Sequence, residues 1–135
     1  MDQHTVDELC GFVSAGADYA DNSLEADEGW AWRVGINGPL DMSDPKGCAC
    51  GQIFGHYERF RFGDQNRDRL SDEELQNFGW YVFSEDSERD LKYQILAQAW
   101  NEEAHVRRMR DIDNDTVPKQ YEHLIEVAQQ MQIAA

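Results

Sequence analysis

The sharpest chemical pattern in this chain is Asp111-Ile112-Asp113-Asn114-Asp115 followed by Glu122. Counted from Asp111, carboxylates fall at positions 1, 3, 5 and 12 of a calcium-binding helix-loop-helix loop, where alternate residues turn oxygens inward and the last Glu closes on the ion. Thr116 stands where such a loop uses Gly for its sharp turn, and Pro118 follows. The plainer reading is an acidic linker between two helices, its aspartates capping the second and lying near Arg107, Arg108 and Arg110. A fainter copy occurs earlier: Asp64, Asn66 and Asp68 take positions 1, 3 and 5, but Glu74 falls at 11, one residue short of the closing position. Ser71 with Glu74 explains the same letters as a helix capping box.

Thiols and imidazoles offer a second chemistry. Cys48, Cys50 and His56, with Cys10 as a distant fourth, are the right ligand types for zinc, yet Cys-x-Cys with one His leaves the fourth ligand unassigned. Cys48 as a nucleophile served by His56 or His105 lacks any recognisable oxyanion or base arrangement. Glu102 and His105 make one Glu-x-x-His, half of what a di-iron bundle needs. Small buried thiols in a glycine-rich segment are the simpler reading. Three cysteines are an odd number and there is no export signal, so reduced thiols are expected over a disulfide framework.

Charge speaks more plainly than any motif. The chain has 135 residues, 27 Asp and Glu against 12 Lys and Arg, and a formal charge of −15. No Lys or Arg precedes Arg33, whereas Asp2, Asp7, Glu8, Asp18, Asp21, Glu25, Asp27 and Glu28 all do. A protein so charged has no footprint for phosphate backbones, and anionic membrane surfaces are excluded on the same ground. It suits the basic groove of another protein instead, with long-range steering that speeds encounter. Asp18, Asp21, Glu25, Asp27 and Glu28 are the candidate acidic face. Trp30 and Trp32 lie two apart, on one side of a strand, as core or as an aromatic interface anchor.

These residues need elements to hold them. Val6, Leu9, Cys10, Val13 and Ala17 recur at helical spacing behind a Thr5–Glu8 capping box, predicting a helix over about 6–19. WAWRV (30–34) and WYVF (80–83) read as two short strands able to pair. Ile53, Phe54, Tyr57 and Phe60 share a helical face beside Gly47, Gly51 and Gly55, a stripe that lets another backbone approach. A short helix after Ser71 ends at Gly79. The longest periodic segment, about 88–110, carries Leu91, Ile95, Leu96, Ala99, Trp100 and Ala104, with three arginines in its last turn. A final helix spans about 118–132, with Thr116 as its cap and Tyr121, Leu124, Ile125, Ala128 and Met131 on one face.

The segments WRVGINGPLDMSD, CACGQIFGHY and LSDEELQNFGWYVF, with Ala99-Trp100 and Arg107-Arg108 behind them, resemble a set of small uncharacterised proteins of actinobacterial phages and their hosts. The resemblance runs from about Trp30 to Arg110. Ala49 and Cys50 replace that set's usual apolar pair after Cys48, and Gly35 interrupts its Arg-Ile-Asn order. It implies a phage or prophage setting and carries no activity.

The expectation is therefore one helix-dominated α+β domain, with four to five helices and a short two-stranded β element. Its acidic segment (1–29) leads into a core (30–110) and a C-terminal helix (116–133). The amino terminus lacks a signal-peptide pattern and no stretch approaches a membrane span, so a cytoplasmic place in a bacterial host is expected. The expected function is non-enzymatic and without a cofactor: binding a host or phage protein, a basic nucleic-acid-binding groove being the candidate surface, with inhibition and assembly both open as the outcome. A Ca2+-binding helix-loop-helix is the alternative, and a Cys-dependent zinc protein or enzyme the third.

Overall fold

The computed structural model describes residues 1–22, 29–36, 40–43, 48–54 and 71–131. Five α-helices are described: α1 (Gln3–Asn22), α2 (Ala49–Phe54), α3 (Asp72–Asn77), α4 (Arg89–Asn114) and α5 (Ile125–Gln130). Two 3-10 segments, Trp30–Trp32 and Lys119–Leu124, complete the list. At 1.5 Å per residue, α4 is about 39 Å long and forms the spine.

Helix α1 starts earlier than its apolar spacing alone suggests, because Asp2 Oδ1 accepts the Thr5 N–H at 2.8 Å. Asp2, not Thr5, caps it, and that bond holds the Asp2 carboxyl below its ordinary pKa. Leu9, Val13, Gly16, Ala17 and Ala20 form the buried stripe, while Cys10 is exposed. The stripe lies along α4, which buries Tyr93, Leu96, Ala99, Trp100, Ala104 and Arg108. Leu91, expected in that stripe, is 43% exposed, and Tyr93 takes the inward place.

Among the described residues there is no strand, which corrects the expected two-stranded element. Gly29, with φ 78°, turns the chain so that Trp32 N–H reaches Gly29 O at 2.9 Å and Arg33 N–H reaches Trp30 O at 3.0 Å. WAWRV thus spends its first donors on a tight turn. WYVF is irregular, with Trp80 and Val82 buried, and helix side chains take the place of a partner strand. Tyr93 Oη accepts the Val82 N–H at 3.3 Å, and Arg89 Nε donates to Val82 O at 2.9 Å. β-propensity identified a buried apolar run and missed that α4 would satisfy its backbone.

The capping box of α3 is present: Ser71 Oγ and Glu74 Oε1 each accept the other's N–H at 3.1 Å. Gly79, φ 74°, ends the helix, with Trp80 N–H on Leu75 O and Gly79 N–H on Gln76 O, the paired bonds of a Schellman motif. The three arginines of α4 are not in its last turn, since the helix continues through Asn114 and ends with Asp115 left-handed at φ 56°. Val117 and Pro118 then lead into 3-10 geometry before α5, in place of one continuous helix, and no side chain caps that entry. Thr116 Oγ1 turns back to Asp111 Oδ1 at 2.9 Å.

Trp80 and Trp100 stack at 5.9 Å with 12° between their planes, and Trp30 meets Trp100 edge-on at 5.8 Å. Trp32 belongs to a smaller cluster with Leu124 and Ala128, which seats α5. None of the described helices is long and apolar enough to cross a membrane.

Candidate functional site

The turn at Trp30–Trp32 is held between α1 and α4 by its own indoles. Trp30 Nε1 donates to Asp21 Oδ1 at 2.8 Å, and Trp32 Nε1 donates to Asp111 Oδ2 at 2.9 Å. Both rings are buried, Trp30 at 4% exposure and Trp32 at 0%. An aromatic interface anchor at this pair is thereby corrected: the indoles hold the fold together from within.

Arg107 closes the same knot. Its Nη2 lies 2.8 Å from Asp21 Oδ2 and 3.7 Å from Asp18 Oδ1, its Nη1 lies 2.6 Å from Glu103 Oε2, and its guanidinium sits 5.2 Å from the centre of the Trp30 ring. Burial opposes its charge, but the hydrogen bonds it donates to Asp21 and Glu103 prevail and hold its pKa above the usual value. A cleft of about 250 Å³ opens here, lined by Asp21, Gly29, Trp30, Ala31, Arg107, Arg110 and Asp111. Another, of about 390 Å³, lies between residues 40–43 and Asp90, Tyr93, Gln94 and Ala97 of α4.

The first cleft brings together residues that the sequence offered for different chemistries. Asp21, from the acidic face, and Asp111, from the calcium pattern, share its rim. The calcium pattern itself is not assembled as a loop. Asp111 and Asp113 are helical, Asp115 is the left-handed end of α4, and Glu122 is in the following 3-10 segment. Among the described residues no group of three or more His, Cys, Asp or Glu stands where it could hold a metal ion.

Asp64, Asn66, Asp68 and His56 lie outside the described residues, as do Gly47, Gly55, Tyr57 and Phe60, and so do Glu25, Asp27 and Glu28 of the acidic face. Asp18 is on the surface, its side chain 78% exposed. Cys48 is buried at the start of α2, and Cys10 is exposed on α1. Partial burial, then the charges of Glu102, Asp7 and Glu103, push the Cys10 thiol up, the reverse of what a nucleophile needs.

The residues that sequence reasoning missed are two inward-turned arginines. Arg108 is fully buried, and its Nη1 donates to Ala31 O at 2.7 Å and Val34 O at 3.0 Å. Its signal was present: Leu96, Trp100, Ala104 and Arg108 follow one another at four-residue steps, so Arg108 continues the core stripe. Burial lowers its pKa to about 10, which leaves it cationic at neutral pH. Arg33 reaches the last carbonyls of α2, on Gln52 and Ile53, and the Tyr121 hydroxyl. A cation at a helix C-terminus is favoured by the dipole as well as by the hydrogen bonds.

Comparison with protein-family models, with curated proteins and with solved structures gives no match to this chain.

Proposed function

We propose that the protein acts by binding a basic macromolecule, a protein whose groove otherwise takes nucleic acid, through a surface covered in carboxylates. A phage-type inhibitor of such a host protein is the form this reading takes. One observation supports it above the bare charge count: most of the described cations are taken inward or paired.

Among the described residues, Arg33 and Arg108 are held by backbone carbonyls. Arg89 bonds Val82 O and the Tyr93 hydroxyl, Lys92 pairs with Asp86, and Arg107 pairs with Asp21 and Glu103. Of the described Lys and Arg, that leaves Arg110 and Lys119 as the exposed ones. Exposed carboxylates by contrast run along α1 at Asp7, Glu8 and Asp18, and along α4 at Asp90, Glu102 and Asp113. Over the described residues the outward field is more uniformly negative than their composition implies, which is what steers a cationic partner.

The test uses immobilised full-length protein and a bacterial lysate. Retained proteins should be nucleic-acid binders, should elute as salt is raised, and should be displaced by added DNA or RNA. Replacing Asp7, Glu8 and Asp18 by their amides, with Asp21 kept because it holds Arg107 and Trp30, should weaken retention and leave the melting temperature nearly unchanged. A retained partner indifferent to salt and to these three substitutions would overturn the reading.

A further inference from the structure

Arg108 is a buried cation with an unfilled side. Nη1 is fully engaged by the Ala31 and Val34 carbonyls. On the remaining edge, Nε has no hydrogen-bond partner, and Nη2 meets only the sulfur of Met131, at 3.8 Å. No carboxylate pairs with this guanidinium among the described residues. The Nε–Nη2 edge is the fork with which arginine holds two oxygens, and a thioether is a weak acceptor for it.

Met131 is half-buried and follows the last turn of α5, its N–H on Ala128 O at 3.3 Å. One side of its sulfur therefore faces the buried fork while the residue keeps access to solvent.

We propose that Met131 is an oxidation site for small peroxides, and that the sulfoxide oxygen takes the vacant edge of Arg108. A sulfur lone pair attacks one peroxide oxygen, the O–O bond breaks and an S–O bond forms. The sulfur loses two electrons, and the departing hydroxide takes the proton of the transferred OH and leaves as water. The oxygen adds on the solvent side of the sulfur, and rotation about the Cγ–Sδ bond then turns it toward the nitrogens, where a weak acceptor is replaced by a strong one. Oxidation of a core methionine ordinarily loosens a protein. Here it fastens α5 to α4 and, through Arg108, to the Trp30–Trp32 turn.

The experiment treats wild type and Met131→Leu with hydrogen peroxide, maps added oxygen by peptide mass spectrometry and records thermal melts. Met1, Met42 and Met109 are common to both proteins, so the difference between their shifts reports Met131 alone. Met131 should gain one oxygen, and the oxidation shift of wild type should lie above that of Met131→Leu by a few degrees. Met131→Gln, which presents an amide oxygen in place of the sulfoxide, should melt above Met131→Leu without any peroxide. The proposal is overturned if Met131 stays unmodified when Met1 is fully oxidised, if the wild-type shift equals or falls below that of Met131→Leu, or if the glutamine variant melts no higher than the leucine variant.

Discussion

Among the described residues, His105 is the histidine whose surroundings oppose its charge. Its imidazole is half-buried on α4 one turn before Arg108, with Nδ1 buried and unpartnered. Burial, and then the charge of Arg108, hold its pKa below the ordinary 6.5. The unfolded chain therefore takes up this proton at a higher pH than the folded one does. The neutral imidazole's contribution is complete above about pH 6.5 and is lost as pH falls through that value toward the folded pKa. The carboxylates with lowered pKa, Asp2, Asp41 and Asp86, contribute in the same direction only further down, below 3.8. Denaturant melts between pH 7 and 5 should show stability decreasing with acidity in wild type, with a shallower slope in His105→Gln. Equal slopes would show that His105 titrates as if unfolded.

The helices were legible in the sequence where capping chemistry and apolar spacing agreed, as at Ser71, Glu74 and Gly79, and along the stripe through Leu96 and Trp100. What the sequence concealed is how closely elements approach. Its glycine spacing pointed to Gly47, Gly51 and Gly55, whose surroundings lie outside what the structure describes; a tight crossing that it does describe is at Gly16. A Cβ there would lie 1.9 Å from the Phe78 carbonyl oxygen and 2.9 Å from the Trp100 ring. Gly79 answers from the other side, where a Cβ would meet the Val13 side chain at 2.8 Å and its backbone at 3.0 Å. An isolated glycine within a helix carries no mark of the backbone that will press against it, so this contact was not readable from spacing. Gly16→Ala gains about 1 kcal/mol of helix propensity in an open setting. Against a carbonyl it should instead cost about 1–3 kcal/mol, because α1 must shift off Phe78. Urea denaturation decides between the two signs. The candidate site was hidden for a similar reason: Asp21, Trp30, Arg107 and Asp111 are up to 90 positions apart in the chain, and only the crossing of α1 over α4 makes them neighbours.

At the scale of the whole molecule, charge sorting has a thermodynamic consequence besides the steering of partners. With −15 formal charges and most described cations already paired or held by carbonyls, the remaining surface carboxylates repel one another and favour the expanded chain. Added salt should screen that repulsion more than it weakens the partly buried Arg107 pairs. The melting temperature should rise steadily from about 10 mM to about 0.5 M sodium chloride, where screening lengths shrink from tens of ångströms to a few. A decrease over that range would mean that the ion pairs of Arg107 and Lys92 outweigh the surface repulsion.

The stacked indoles of Trp80 and Trp100, with Trp30 edge-on to the second, form an optical device as well as a core. Rings held 5.9 Å apart in a fixed chiral arrangement couple their electronic transitions. Folded protein should therefore show a paired positive and negative band in the ultraviolet circular dichroism of its indoles, beside a blue-shifted emission from four buried tryptophans. That couplet depends on ring geometry and not on helix content. It will fade when α1 slips from Phe78 even if every helix survives, so loosening of the crossing can be observed without labelling the chain.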